Sequence, residues 1–240
     1  MDRASGFYPV RRRFESCRGY CIIKYMTNNI WLDPIVDKYK QYFDNEASVI
    51  FDVGSRDGDD AAYLMDRLGA EHVYAIDANP IAIEQIKDKH PDFNTFFTAV
   101  SEYDGTTEFV QIVSDDKDHA GSSSIENYSF FEEATYNTIT VPITRMDTFI
   151  EKHGLQETIL DVVKVDIEGY SYEFIMGMGE YVNNVKLFHL ETEMFDRHPG
   201  HKNNNLVIDL MTERGFLLCH TSYQWENIQD QIWINSNFVW

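Results

Sequence analysis

Residues 49–69 read VIFDVGSRDGDDAAYLMDRLG. The opening is an apolar run of strand length, Gly54-Ser55-Arg56-Asp57-Gly58 is a glycine turn, and residues 59–68 form a helix pattern that stops at Gly69. Strand–glycine–helix junctions commonly take a phosphate, because the helix N-terminus offers free N–H groups and a partial positive charge. Asp57, Asp59 and Asp60 already complement that dipole and would repel a polyanion. The turn is therefore suited to a guest other than a phosphate.

The same rhythm continues on both sides. A helix is expected over about 34–43, with Pro34 early and Ile35, Val36, Tyr39 and Phe43 at helical spacing. HVYAID is a second strand, PIAIEQIKDKH a second helix begun by Pro80, and NTFFTAV a third strand. GTTEFVQIV and TITVPIT read as strands on either side of a long polar stretch, SDDKDHAGSSSIENYSFFEEATYN, and RMDTFIEKHG as a short helix. Then come strand ILDVVKVDIE, helix YEFIMGMGEYV, strand VKLFHLETE, helix NNLVIDLMTERG, and strands FLLCHT and DQIWINS. The last two are joined only by a polar turn, so they can pair antiparallel. Alternating strands and helices imply right-handed crossovers and a parallel sheet. The expected fold is α/β and Rossmann-like: a seven-stranded, mostly parallel sheet with an antiparallel last strand and helices on both faces.

Charge narrows the partners. The 240 residues carry 40 Asp and Glu against 20 Lys and Arg, a formal net charge of −20. Such a chain is steered away from nucleic acid and anionic membranes, where binding depends on basic residues. Only RRRFESCRGYCIIKY, near the N-terminus, is locally basic. Cys17, Cys21 and Cys219 have no zinc-like spacing, and free thiols are expected. MDRASGFYPVRRRF lacks the apolar core of a signal peptide, and no apolar run reaches membrane-spanning length. A soluble, cytoplasmic protein is the expectation.

The turn and the end of the second strand together suggest the guest. A dinucleotide fingerprint needs a glycine where Arg56 stands, so a pyrophosphate would fit poorly. Asp77, about twenty residues beyond the turn, is placed to accept the hydroxyls of a ribose. An adenosine without phosphates satisfies both observations, and S-adenosylmethionine adds an amino-acid head for the turn and a sulfonium that tolerates acidic surroundings. Simple capping also accounts for Asp52 and Asp57, and a surface ion pair for Arg56.

A second group of carboxylates should rim the same crevice. Asp166 and Glu168 end one strand, and Glu191 and Glu193 end the next. In open α/β sheets ligands sit outside the carboxyl ends of the strands. One carboxylate, with His189 or His198, could serve as a general base for a hydroxyl. Alternatively Asp166, Glu191 and a third oxygen ligand could hold Mg²⁺. The structural alternative is that Glu168 and Glu193 cap helices or pair with Lys164 and Arg197, and that His189 is a core histidine.

FDVGSRDGDD, AIDANP, TAVSEYDGTTEF, GSSSI, VPITRMDTFI, VVKVDIEGYSYEFIMG and LFHLETE, in this order, resemble the FkbM-type S-adenosylmethionine-dependent methyltransferases over about 48–195. The stretch Lys164–Gly169 carries the most specific part of the match. The resemblance implies a class I methyltransferase acting on hydroxyl oxygens of sugars or other small molecules. It implies that Asp52, Gly54 and Gly58, with Ser55 beside them, line the cofactor's amino-acid end. Asp77, followed by Ala78, would take the ribose, Ser101 and Glu102 would flank the adenine, and Asp166, Glu168 and Glu191 would lie nearest the transferred methyl. The family usually has glutamate at position 77 and small residues at 55 and 56. Residues 1–45 then form a lead-in and helix, as a cap or an acceptor-side region, 46–240 the methyltransferase domain, and about 114–137 an acceptor lid inserted in it. His119 and Ser123 of that lid, with Glu193 and His198, would face the acceptor. Two other readings stay open: a non-catalytic module that keeps the cofactor fold, and a nicotinamide-dependent oxidoreductase.

Overall fold

The computed structural model describes residues 30–113, 135–194, 201–225 and 227–239. Strands β1 (Val49–Val53), β2 (His72–Asp77), β3 (Asn94–Phe97), β7 (Leu160–Val165), β8 (Val185–Glu193), β9 (Phe216–Trp225) and β10 (Ile228–Asn235) form one seven-stranded sheet. Its order is β3-β2-β1-β7-β8-β10-β9. The first five pair in parallel, and β10 lies antiparallel to both β8 and β9. The expected terminal hairpin is present, and its strands consume most of the residues read as a polar turn.

Burial follows the pleat. Ile50, Val162, Leu187 and Ile232 face one side, where helices α1 (Asp33–Tyr42), α2 (Asp59–Leu68) and α3 (Pro80–Lys89) contribute Ile35, Tyr39, Leu64 and Ile86. Phe51, Val163, Phe188 and Trp233 face the other, against α4 (Met146–Lys152), α5 (Ser171–Gly177) and α6 (Asn204–Glu213). The sheet is thus covered on both faces, as a parallel sheet requires. The segment expected as one helix from 172 to 182 is instead α5 followed by a 3-10 helix, Gly179–Asn184.

The third strand of the sequence reading divides. NTFF enters the main sheet as β3, whereas β4 (Ala99–Ser101) joins a second sheet of order β4-β6-β5 with β5 (Gly105–Val113) and β6 (Thr135–Arg145). Thr98 is the crossing point: its N–H donates to the Asp77 carbonyl of β2, while its hydroxyl lies 3.3 Å from the Pro142 carbonyl of β6. Gly177 lets α5 lie on β4, since a Cβ there would sit 2.1 Å from the Ser101 carbonyl oxygen. Arms β5 and β6 bracket residues 114–134, which lie outside the described residues.

Candidate active site

The glycine turn is wedged against β7. Gly54 has φ +78°, and a Cβ built on it would lie 1.8 Å from the Asp166 carbonyl oxygen. The N–H groups of Gly54 and Ser55 both donate to the Ile76 carbonyl (2.9 and 3.2 Å), and Gly58 N–H closes the turn on the Ser55 carbonyl at 2.8 Å. Arg56 takes a left-handed φ of +52°, and its N–H donates to Asp77 Oδ2 at 2.8 Å. A carboxylate thus already occupies one of the amides that a phosphate would need. The Asp57 and Asp59 side chains are met by Lys89 at 3.0 Å each, from the C-terminal end of α3. Arg56 Nε lies 3.7 Å from Asp57 Oδ1, the ion pair anticipated for it.

Asp77 ends β2 with its other oxygen accepting from Asn79 N–H at 2.7 Å. Each oxygen keeps capacity for a further donor. Burial pushes the Asp77 carboxyl up to about 6, against the pull of the Asn79 and Arg56 N–H groups. Beside it Ala78 packs against Ala99, Phe109, Val141 and Ile143. Asn79 caps α3 through Ile81 N–H and also accepts from Gln111 Nε2 at 2.9 Å. Gln111 in turn accepts from Asn137 at 3.3 Å, so the arms of the insertion are tied to the end of β2.

Asp52 and Lys164 are cross-strand partners on β1 and β7. Both are buried, and Lys164 Nζ lies 3.4 Å from Asp52, 3.4 Å from Asp60 on α2 and 3.5 Å from Asp166. Asp52 also accepts from Ser55 Oγ at 2.6 Å. Burial alone would lower the Lys164 ammonium, but Asp52, Asp166 and Asp60 together hold it above the ordinary lysine range. Lys164, offered by the sequence as an ion-pair partner for Glu168 or Glu193, is aimed by β7 at the β1 aspartate. Arg197 lies outside the described residues.

Asp166, Glu168 and Glu191 converge, with one carboxylate oxygen of each within 4.8 Å of the others. Glu168 is held at φ +52°, rare for a residue with a side chain, directly after β7. Glu191 is 5% exposed, and its carboxylate makes no hydrogen bond or ion pair among the described residues. Burial first, and then the charges of Asp166, Glu168, Asp230 and Glu193, push its carboxyl well above the usual range. Asp230, opposite Glu191 on β10, accepts from Gln224 at 2.6 Å and lies 3.6 Å from His189. Buried Glu193 sits 3.4 Å from His201 Nε2. His189 is a buried strand residue beneath Trp31, as the sequence suggested.

Ser101 is buried at the end of β4, and Glu102 is exposed with its carbonyl accepting from Arg145. His119, Ser123 and His198 lie outside the described residues, as do Cys17 and Cys21. The sequence reading missed Asp60, Asn79, Gln111, His201 and Asp230. Asp60 had an adequate explanation in the helix dipole, and Gln111 stood out only as one amide within an apolar strand.

A seven-stranded sheet ending in an antiparallel hairpin, with an acidic residue closing β2 and a glycine turn after β1, is the class I methyltransferase fold. The family model of the methyltransferase FkbM domain matches residues 52–218, and the chain belongs to that family. No curated protein matches it. Solved structures similar to it are distant. The magnesium protoporphyrin IX methyltransferase ChlM of Synechocystis PCC 6803, with bound SAM, is 10% identical with a TM-score of 0.49, over 96% of this chain and 87% of that one. TrmK of M. capricolum, in complex with S-adenosyl-homocysteine, is 13% identical with a TM-score of 0.43, over 84% and 67%. The methyltransferase FkbM of Methylobacillus flagellatus KT is 12% identical with a TM-score of 0.46, and this chain covers 43% of its length while 77% of this chain is matched.

Among the described residues no helix is long and apolar enough to cross a membrane.

Proposed function

We propose that this methyltransferase moves the methyl group of S-adenosylmethionine to a hydroxyl oxygen of a sugar, glycan or other small molecule in the cytoplasm. The observation that carries the reading is Glu191: a buried carboxylate with a raised pKa, beside Asp166 and Glu168, at the strand ends where the transferred methyl is expected. The acceptor oxygen forms its bond to the methyl carbon as the carbon–sulfur bond breaks. The electron pair of that bond stays on sulfur, which becomes a neutral thioether, and the hydroxyl proton passes to a carboxylate. A carboxylate whose pKa is raised by burial and by its acidic neighbours binds that proton more firmly than an exposed one would. The glycine turn with Asp52 and Ser55 holds the amino-acid end, Asp77 the ribose, and Ser101 and Glu102 border the adenine. The net charge of −20 favours a small acceptor over a nucleic acid.

A Mg²⁺ ion fits the donor set, three carboxylates of which one has no other partner among the described residues. Asp166, Glu168 and Glu191 would hold it, and it would make the acceptor hydroxyl more acidic. Bound cation should stabilise the native state by about 2.7 kcal/mol at a hundredfold excess over its dissociation constant. The expected result is a melting temperature raised by Mg²⁺ in the wild type and unmoved in Glu191→Gln.

Transfer itself is tested by incubating the protein with methyl-labelled S-adenosylmethionine and a panel of sugars and phenols. Label should appear on an oxygen, and Glu191→Gln should reduce the rate by about 10²–10⁴ while leaving S-adenosylhomocysteine affinity nearly unchanged. Cofactor binding without turnover on any hydroxyl would favour the non-catalytic module, and label on nitrogen or carbon would overturn oxygen as the target.

A further inference from the structure

We infer that Lys164 is a positioning residue that locks the cofactor turn to the transfer side of the site. Its ammonium holds Asp52, beneath the turn, and Asp166, in the acidic cluster, in one fixed array. The inference rests on the reading that the turn takes the cofactor's amino-acid end.

On its face of the sheet Lys164 lies between its register partners Asp52 and His189, and the fully buried aliphatic residues Ile50, Val162 and Leu187 lie one pleat further along. A buried ionic group is commonly replaceable by a hydrophobic one at no loss of stability, so stability alone does not account for this one. The three partners of Lys164 come from three elements: Asp52 from β1, Asp60 from the first turn of α2, and Asp166 from the end of β7. The backbones of two of these elements touch at Gly54 and Asp166. Without the cation, two carboxylates of like charge would flank that contact and push it apart. The Trp31 ring, centred 5.7 Å from the ammonium, covers it from the N-terminal side and also faces His189. Lys164 therefore sets the spacing between the turn and the acidic cluster, and hence between a cofactor seated in the turn and the group that receives the proton.

Calorimetric titration with S-adenosylhomocysteine, paired with melting curves, tests this. Lys164→Met should lose both stability and affinity, because three carboxylates are left around an uncharged side chain. Lys164→Met combined with Asp60→Asn removes one surplus anion on the helix side. It should recover part of the lost melting temperature yet bind S-adenosylhomocysteine about tenfold or more weakly than wild type. Lys164→Arg supplies a second arm, keeping the charge but changing the donor geometry, and should lose affinity while the melting temperature holds. Affinity that returns in step with melting temperature in the double variant, or that stays at the wild-type level in Lys164→Arg, would overturn the positioning role alone. A wild-type protein that binds no S-adenosylhomocysteine would overturn the cofactor reading and this inference with it.

Discussion

Gly54→Ala is expected to cost about 3–5 kcal/mol, a large part of the roughly 5–15 kcal/mol available to a domain of this kind. Two effects add. The left-handed backbone at φ +78° costs an L-residue roughly 1–2 kcal/mol. The new methyl group would also sit 1.8 Å from the Asp166 carbonyl oxygen, so β1 and β7 must separate where they are otherwise hydrogen-bonded. That movement displaces Asp166 from Lys164 and opens the turn, so cofactor binding should fail along with stability. Gly154→Ala provides the control, having φ +71° and nothing within 4 Å of the added carbon. It should lose only the conformational part, about 1 kcal/mol. Urea denaturation of both variants separates the terms. Equal losses in the two would show that backbone conformation alone, and not the approach of the strands, requires glycine at position 54.

What could be read from the sequence was whatever a single element carries by itself. Apolar runs such as VIFDV and LDVVKV are buried on both faces, and that is a property of each run. Carboxylates at strand ends could likewise be placed at the crevice, because a parallel sheet brings all its carboxyl ends to one edge. Pairings between elements were not legible. Asp57 and Asp59 were explained by the helix dipole, and nothing in the local pattern showed that Lys89, thirty residues later, would bind both. NTFFTAV has the composition of one strand, and it is divided only by pairing with distant elements, NTFF with β2 and Ala99–Ser101 with β6. Lys164 could be read only as a possible partner for Glu168 or Glu193, yet its pleat direction is fixed by the register with Asp52 on a strand far away in sequence. His201 was invisible for the same reason, since its partner Glu193 lies across a segment with no periodic signal.

Asp77→Asn should gain stability relative to wild type from pH 4 to pH 8 and should lose cofactor affinity, a pair of opposite signs with one cause. In the folded chain burial lifts the Asp77 carboxyl from 3.8 to about 6, so the native state holds this proton more tightly than the unfolded chain does. Below about pH 4 both states are protonated and the residue is neutral in its effect. As pH rises from about 4 to about 6 the unfolded chain ionises first, and stability falls. Above about 6 the folded protein carries the full cost of a buried charge, at most about 3 kcal/mol for two pKa units. An uncharged amide removes that cost but keeps only one of the two acceptors that meet the Arg56 and Asn79 N–H groups, so the melting temperature of Asp77→Asn relative to wild type should rise from pH 4 to pH 8, from a baseline lowered by the lost hydrogen bond. The ribose reverses the preference, because its hydroxyls donate best to an ionised carboxylate. Wild-type affinity for S-adenosylhomocysteine should therefore be flat above about pH 6 and fall by up to about tenfold per pH unit below it. Asp77→Asn should bind weakly at every pH, and Asp77→Ala, losing two charge-assisted hydrogen bonds, about 10²–10³ times more weakly than wild type. Titrations across the pH range with parallel melting curves read both quantities. Binding that stays constant from pH 8 to pH 5, or an Asp77→Asn variant whose stability relative to wild type does not rise from pH 4 to pH 8, would mean that the carboxylate serves only to hold the Arg56 and Asn79 amides in place and that the ribose is met by another group.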